Sequence, residues 1–132
     1  MAEIGEYAKG RHVELTAVEY AGTVAAGDPL KITGVADDGT TKVQKAGGLD
    51  TVRFFAIQGN AGVSGDVKQV LMRGYIYTGG TGKTTAVPNP GSPLRMKDGK
   101  IGSEAAASTS FGYTIDVLAA DGAGWIYFTQ NP

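Results

Sequence analysis

The feature that most limits how this chain can fold is the placement of its 21 glycines, roughly double the usual share of about 7% and spread over turn positions rather than gathered in one tract. Glycine inside a helix costs about 1 kcal/mol relative to alanine, so breaks at this spacing disfavour helices and suit many short strands joined by tight turns. The expectation is an all-β chain. Its 132 residues, 42% of them hydrophobic, are enough for a single domain with a modest core.

Along the chain, Val13-Glu14-Leu15-Thr16-Ala17-Val18 puts Val13, Leu15 and Ala17 on one face, the period of a half-buried strand. Residues 1–12 ahead of it read as an extended, loosely tethered arm, and 13–132 as the β domain. Ala25-Ala26-Gly27-Asp28-Pro29 is a turn signal, followed by a strand over 30–35. Asp37-Asp38-Gly39-Thr40 signals a hairpin, since Asp-Gly accepts the positive φ of a two-residue turn, with 41–45 as the returning strand. The runs 52–57 and 67–77, rich in β-branched and aromatic residues, are expected to carry the core. Pro88, Pro90 and Pro93 then impose an irregular loop. Strands over 94–96, 113–118 and 125–129, a turn at 97–100 and one short helical turn within 103–108 complete the reading.

There is an internal echo. Gly27-Asp28-Pro29-Leu30-Lys31-Ile32 recurs as Gly91-Ser92-Pro93-Leu94-Arg95-Met96, and each copy precedes a phenylalanine-led strand, at Phe54-Phe55 and at Phe111. Two related halves, 13–78 and 91–132 joined by a Gly/Pro-rich loop over 79–90, would pack into one compact β-barrel or β-sandwich of β-tulip type.

The motifs with chemical associations fail on spacing. Gly79-Gly80-Thr81-Gly82-Lys83-Thr84-Thr85 is similar to a phosphate-binding loop, but that loop needs its first glycine where this chain has Tyr77. The helix that must follow is denied by Pro88 and Pro90. His12 is the single histidine, so any catalytic triad or histidine metal site would have to be built on it, without local partners. Asp37-Asp38 lacks the alternating oxygen ligands of a calcium loop. With no cysteine there is no thiolate site. No catalytic residue, cofactor or metal is therefore expected, and an enzyme ranks last of three classes.

Twelve Lys and Arg against thirteen Asp and Glu create no positive field for a polyanion, so direct nucleic-acid binding is not expected. The first residues lack the basic flank and apolar core of a secretory signal, and no run of about 18 apolar residues occurs, which argues against a membrane-spanning role. Tyr75 and Tyr77, and likewise Trp125 and Tyr127, alternate along two strands and so share faces. Such faces can bind sugars or stack on bases, but a core or a subunit interface is the favoured use.

Taken together, the segments Gly22–Leu30, Phe55-Ala56-Ile57, Gly65-Asp66-Val67, Val70–Gly74, Gly91–Ile101, Phe111-Gly112-Tyr113 and Trp125–Phe128 resemble the small β-rich head decoration, or capsid cement, proteins of tailed bacteriophages. The similarity runs from about residue 10 to the C-terminus and is carried by turns and strand patterns. It implies a structural virion protein, made in the host cytoplasm, that binds the outer surface of the expanded head and stabilises contacts between major capsid proteins. It further implies self-association, a homotrimer being favoured over a dimer. Many weak, identical contacts on a symmetric lattice suffice for such a role. Capsid or subunit contacts are expected from Ile4, Tyr7, Arg11 and His12 in the arm and from Lys83, Val87 and Pro88 in the Gly/Pro loop. The alternative is a carbohydrate-binding or host-adhesion module of a virion, using the aromatic set.

Overall fold

The computed structural model describes residues 2–10, 12–79, 88–103, 110–116 and 122–129. The described residues form β1 (Glu14–Tyr20), β2 (Pro29–Val35), β3 (Thr41–Lys45), β4 (Phe54–Ala56), β5 (Val67–Gly79), β6 (Pro93–Lys97), β7 (Lys100–Gly102), β8 (Gly112–Thr114) and β9 (Ala123–Phe128). The sheet order is β1-β3-β2-β4-β5-β9-β8-β6-β7, and β1 also pairs with β5. That second pairing closes β1 to β5 into a five-stranded barrel, with β9, β8, β6 and β7 packed outside it. The barrel is mixed, because β1 runs parallel to β3 while its other pairs are antiparallel. Of the two all-β architectures compatible with the sequence, the barrel is the one formed.

Two cores result. Val18, Tyr20, Val24, Leu30, Val43, Phe54, Ala56 and Val70 fill the barrel, with Met72 against them. A second core lies between the barrel wall and the outer strands and holds Phe55, Leu71, Ile76, Leu94, Met96, Ile101, Phe111, Ile126 and Phe128. Phe54 and Phe55 are sequence neighbours on a three-residue strand, so they point to opposite faces, one into each core. Burial on both faces is why that strand shows no polar alternation.

β5 belongs to both layers. Its first part pairs with β1 and β4, and its second part, from Gly74 onward, pairs with β9. Gly74 has φ 141°, and a Cβ there would lie 3.4 Å from the Val13 Cα, so glycine both permits the bend and admits the crossing chain.

The pairing pattern repeats along the chain. β2 pairs with β3 and β4, and β4 with β5, just as β6 pairs with β7 and β8, and β8 with β9. The backbone bonds around the sequence echo also correspond. Gly27 N donates to Ala56 O and Gly91 N to Thr114 O, both at 2.8 Å. Arg53 N donates to Leu30 O at 2.8 Å and Phe111 N to Leu94 O at 2.9 Å. Gly27 and Gly91 share the left-handed backbone, with φ of 83° and 86°.

Several expectations need correction. The Asp38-Gly39 hairpin is not a two-residue turn: Gly39 N donates to Ala36 O at 2.9 Å and Ala36 N to Thr40 O at 2.8 Å, leaving three loop residues with Gly39 at φ 89°. The two-residue turn is at Asp98-Gly99, with φ of 52° and 76° and Lys97 paired to Lys100. In β1, Val18 and Tyr20 enter the barrel, whereas Val13 and Leu15 pack on the second core and Ala17 is exposed. A register shift between Glu14 and Leu15 accompanies this division. Of the strand expected over 113–118, β8 takes Gly112–Thr114 and Ile115 and Asp116 form a bend, while 117–118 lie outside the described residues, as does the helical turn placed within 103–108 from 104 on.

The arm is paired rather than loose. Gly5 N donates to Tyr77 O at 2.8 Å, Tyr77 N to Glu6 O at 2.8 Å and Ala8 N to Tyr75 O at 3.0 Å, so residues 5–8 run along the second part of β5. Side chains hold the same seam: Gln58 Nε2 donates to Glu3 Oε2, and Ile4 rests so close to Gly27 that a Cβ there would meet its Cγ2 at 2.4 Å.

Candidate functional site

From Gly74 to Thr78 of β5 and along β9, buried and half-buried residues alternate. Ile76, Thr78, Ile126 and Phe128 point inward, while Tyr75, Tyr77, Trp125 and Tyr127 point out. The register sets the outward residues side by side: Tyr75 opposite Tyr127, Tyr77 opposite Trp125, and Tyr127 in turn opposite Tyr113 of β8. Cross-strand aromatic neighbours of this kind stabilise a sheet by about 0.2–1 kcal/mol each. The rings make close contact, with centroids 4.7 Å apart for Tyr75–Tyr127, 5.4 Å for Tyr113–Tyr127 and 5.7 Å for Tyr77–Trp125.

The aromatic set is therefore a surface and not a core. Tyr113 is 41% exposed and Ile115 40% exposed. Ile115 is held there because its N–H and that of Asp116 donate to Trp125 O, while Trp125 N donates to Asp116 Oδ2 at 2.7 Å. Ala8, Tyr75, Tyr113, Ile115 and Trp125 surround a hollow of about 510 Å³. A neighbouring hollow of about 610 Å³ is lined by Glu6, Tyr7, Ala8, Lys9, Gln58 and Trp125, so the paired arm forms one wall of each. Tyr113 and Ile115 are the members that sequence reasoning left out. Their alternation around Thr114 was visible, but only the register across β9 places them beside Tyr127 and Trp125.

The residues singled out in the arm do different work. Ile4 and Tyr7 are half-buried, Tyr7 against the second core and in a bridge to Ile76, with the Lys9 ammonium 5.8 Å from its ring centroid. His12 is exposed, at φ 46°. Pro88 is buried. Arg11, Lys83 and Val87 lie outside the described residues, as does the glycine run from 80 onward. Tyr77, at the position where a phosphate loop would need glycine, is part of β5.

Displaced ionisations belong to turns and the barrel rather than to this face. The Thr40 backbone N–H, then its hydroxyl, lower the Asp38 carboxyl. The Gly47 N–H lowers the Asp50 carboxyl, burial opposes it, and Lys31, with Nζ 3.0 Å from Asp50 Oδ2, lowers it further. Burial, and then Asp28 and Asp66, push the Tyr20 phenol up to about 12, and its hydroxyl donates to Asn60 O at 2.6 Å. Among the described residues no three His, Cys, Asp or Glu side chains converge. What the face offers is aromatic area whose outward rings carry no formal charge, beside two hollows, a set suited to contact.

No protein-family model matches the chain, and no curated protein matches it. Among solved structures, the fold is similar to that of the head fiber gp8.5 N base of bacteriophage phi29, with a TM-score of 0.63 at 19% identity. The likeness covers 90% of this chain and 96% of that one, so the shared feature is the whole fold.

Proposed function

We propose that this protein is a structural component of a tailed-bacteriophage virion, bound to the outer surface of the head as a decoration or cement protein. The observation that carries this reading is the near end-to-end likeness in fold to a head fiber base. The partner is the major capsid protein, and the protein acts as a small homo-oligomer, a trimer ahead of a dimer, bridging neighbouring capsid subunits. Ile4 and Tyr7 position the arm on its own sheet, and Arg11 and His12 beyond it, with Lys83 and Val87 of the Gly/Pro loop, contact the capsid. Pro88 belongs to the same proposed contact set. An assembly of weak contacts repeated over a shell needs no single tight interface. No enzymatic activity is assigned.

The test is co-sedimentation with heads lacking this protein, followed by cryo-electron microscopy of the loaded heads. Saturable binding to expanded heads, and little to immature ones, is the expected result. Absence of any added density on expanded heads would refute the proposal. Replacing Arg11 and His12 by alanine, which leaves the β5 pairing intact, is expected to lower occupancy without changing the fold.

A further inference from the structure

The repeated pairing pattern makes the two layers comparable residue by residue. Pro29 pairs with Phe55 as Pro93 pairs with Tyr113, so Phe55 and Tyr113 are equivalent positions. Phe55 lies opposite Leu71 and Leu71 opposite Leu15; Tyr113 lies opposite Tyr127 and Tyr127 opposite Tyr75. The barrel's row Leu15–Leu71–Phe55 and the outer layer's row Tyr75–Tyr127–Tyr113 thus occupy the same place in the two repeats. The inward neighbours correspond too, with Ala56 opposite Val70 in one and Thr114 opposite Ile126 in the other.

The two rows differ in what covers them. In the barrel's row Phe55 and Leu71 are at 0% exposure and Leu15 is half-buried, because the outer layer packs over it through Leu94, Met96, Phe111 and Phe128. Phe128 and Phe111 stand 5.0 and 5.7 Å from the Phe55 ring. In the outer layer the equivalent row lies on the exterior of the sheet, where Tyr113 is 41% exposed.

We propose that the row Tyr75–Tyr127–Tyr113, with Ile115 and Trp125, is the self-association face of this protein, covered by a second copy of the chain. The inference takes from the preceding section only that the protein works as an assembly of identical copies. Three observations select that occupant. The position is one that this fold already uses to dock β structure of its own kind. The six outward residues Tyr75, Tyr77, Tyr113, Ile115, Trp125 and Tyr127 are uncharged, so apposing two copies sets no like charges against each other. The face also carries a hollow of about 510 Å³ lined by its own rings, into which side chains of an apposed copy can enter. A sugar site would instead need several convergent polar groups. Of the residues lining the hollow, Tyr75, Tyr113 and Trp125 carry one polar side-chain group each, none charged, and Ala8 and Ile115 carry none.

The experiment is sedimentation velocity on the full chain over a range of concentrations, with Tyr113→Glu and Ile115→Glu as separate variants. Both side chains are exposed, so each variant is expected to keep the wild-type far-UV circular dichroism and melting temperature. Each should weaken self-association at least about 30-fold, the effect of losing a hot-spot side chain. Val63→Glu, a substitution at an exposed apolar residue away from this face, should leave association unchanged. A wild-type chain that stays monomeric at all concentrations overturns the inference, as does an oligomer that survives both face variants. Saturable binding of oligosaccharides by a monomer, abolished by Tyr113→Glu, overturns it in favour of a sugar site. Head binding by a monomeric wild type overturns this inference and leaves the virion reading standing. An oligomer that Tyr113→Glu dissolves, but that does not bind heads, supports it and removes the virion reading.

Discussion

Replacing Phe55 by alanine should uncouple the outer layer from the barrel. Phe55 is fully buried on a strand of three residues, with its ring 5.0 Å from Phe128 and 5.7 Å from Phe111. A phenylalanine-to-alanine change in a core costs about 3–5 kcal/mol, and a site bounded on one side by a closed barrel has little freedom to collapse, so the upper part of that range applies. Domains of this size are stable by about 5–15 kcal/mol, which makes the loss roughly a quarter or more of the total. At about 2.1 cal/mol/K of unfolding entropy per residue, 4–5 kcal/mol corresponds to a fall in melting temperature of roughly 15 °C. The measurement is urea unfolding followed by the fluorescence of Trp125, the single tryptophan, together with native-state hydrogen exchange. Amides of β9 should lose more protection than those of β3 in Phe55→Ala, and the reverse should hold for Phe54→Ala, whose side chain lies inside the barrel. A destabilisation below about 1.5 kcal/mol, or equal loss of protection in both layers for both variants, would refute the two-core reasoning.

Gly27→Ala forces a side chain onto a backbone at φ 83° and against Ile4, so it should cost more than about 1 kcal/mol and release the arm; faster exchange at Gly5, Ala8 and Tyr77 is the readout. At Gly112 a Cβ would lie 2.1 Å from the Tyr127 carbonyl oxygen, so Gly112→Ala should part β8 from β9 at a cost of about 1–3 kcal/mol, and an unchanged urea midpoint would count against the pairing. Tyr20 predicts an alkaline limit. Its folded pKa of about 12 lies above the unfolded value of about 10, so its contribution is complete below pH 10 and is lost as pH rises toward 12. Tyr20→Phe should lower stability by about 1 kcal/mol at neutral pH and flatten the fall between pH 10 and 12, and a slope equal to wild type would reject this assignment.

Much of this fold was legible because local rules and tertiary structure agree. The Asp-Gly pairs mark real turns, and the alternation at Tyr75–Tyr77 and Trp125–Tyr127 names one face of a sheet. The echo around Gly27 and Gly91 corresponds to matched hydrogen bonds. The failures are places where a residue's partner is distant in sequence. Nothing near Val13, Leu15 and Ala17 reveals that the opposite face, with Val18 and Tyr20, enters a closed barrel, since closure depends on β1 meeting β3 and β5. The arm read as loose because its bonds are supplied by residues about seventy positions away, at Tyr75 and Tyr77. The turn at Asp38-Gly39 takes one residue more than the Asp-Gly signal suggests, because its closing pair is Ala36 with Thr40. At the candidate surface the sequence named four of the six residues, all aromatic; the register of β8 supplied Tyr113, and the backbone bond from Ile115 to Trp125 supplied Ile115.

The course of β5 bears on how a load would travel through the molecule. Tension applied to the outer layer passes into the barrel along the axis of this one strand, through the bend at Gly74. There it meets the β1 pairings from Glu14–Arg73 to Glu19–Val67 and, on the other edge, those of β4. These rungs lie across the direction of pull, so they must yield together in shear; a strand peeled from its end would break them one after another. In the head-bound role proposed above, such routing makes the unfolding rate under force, more than equilibrium stability, the property that decides endurance.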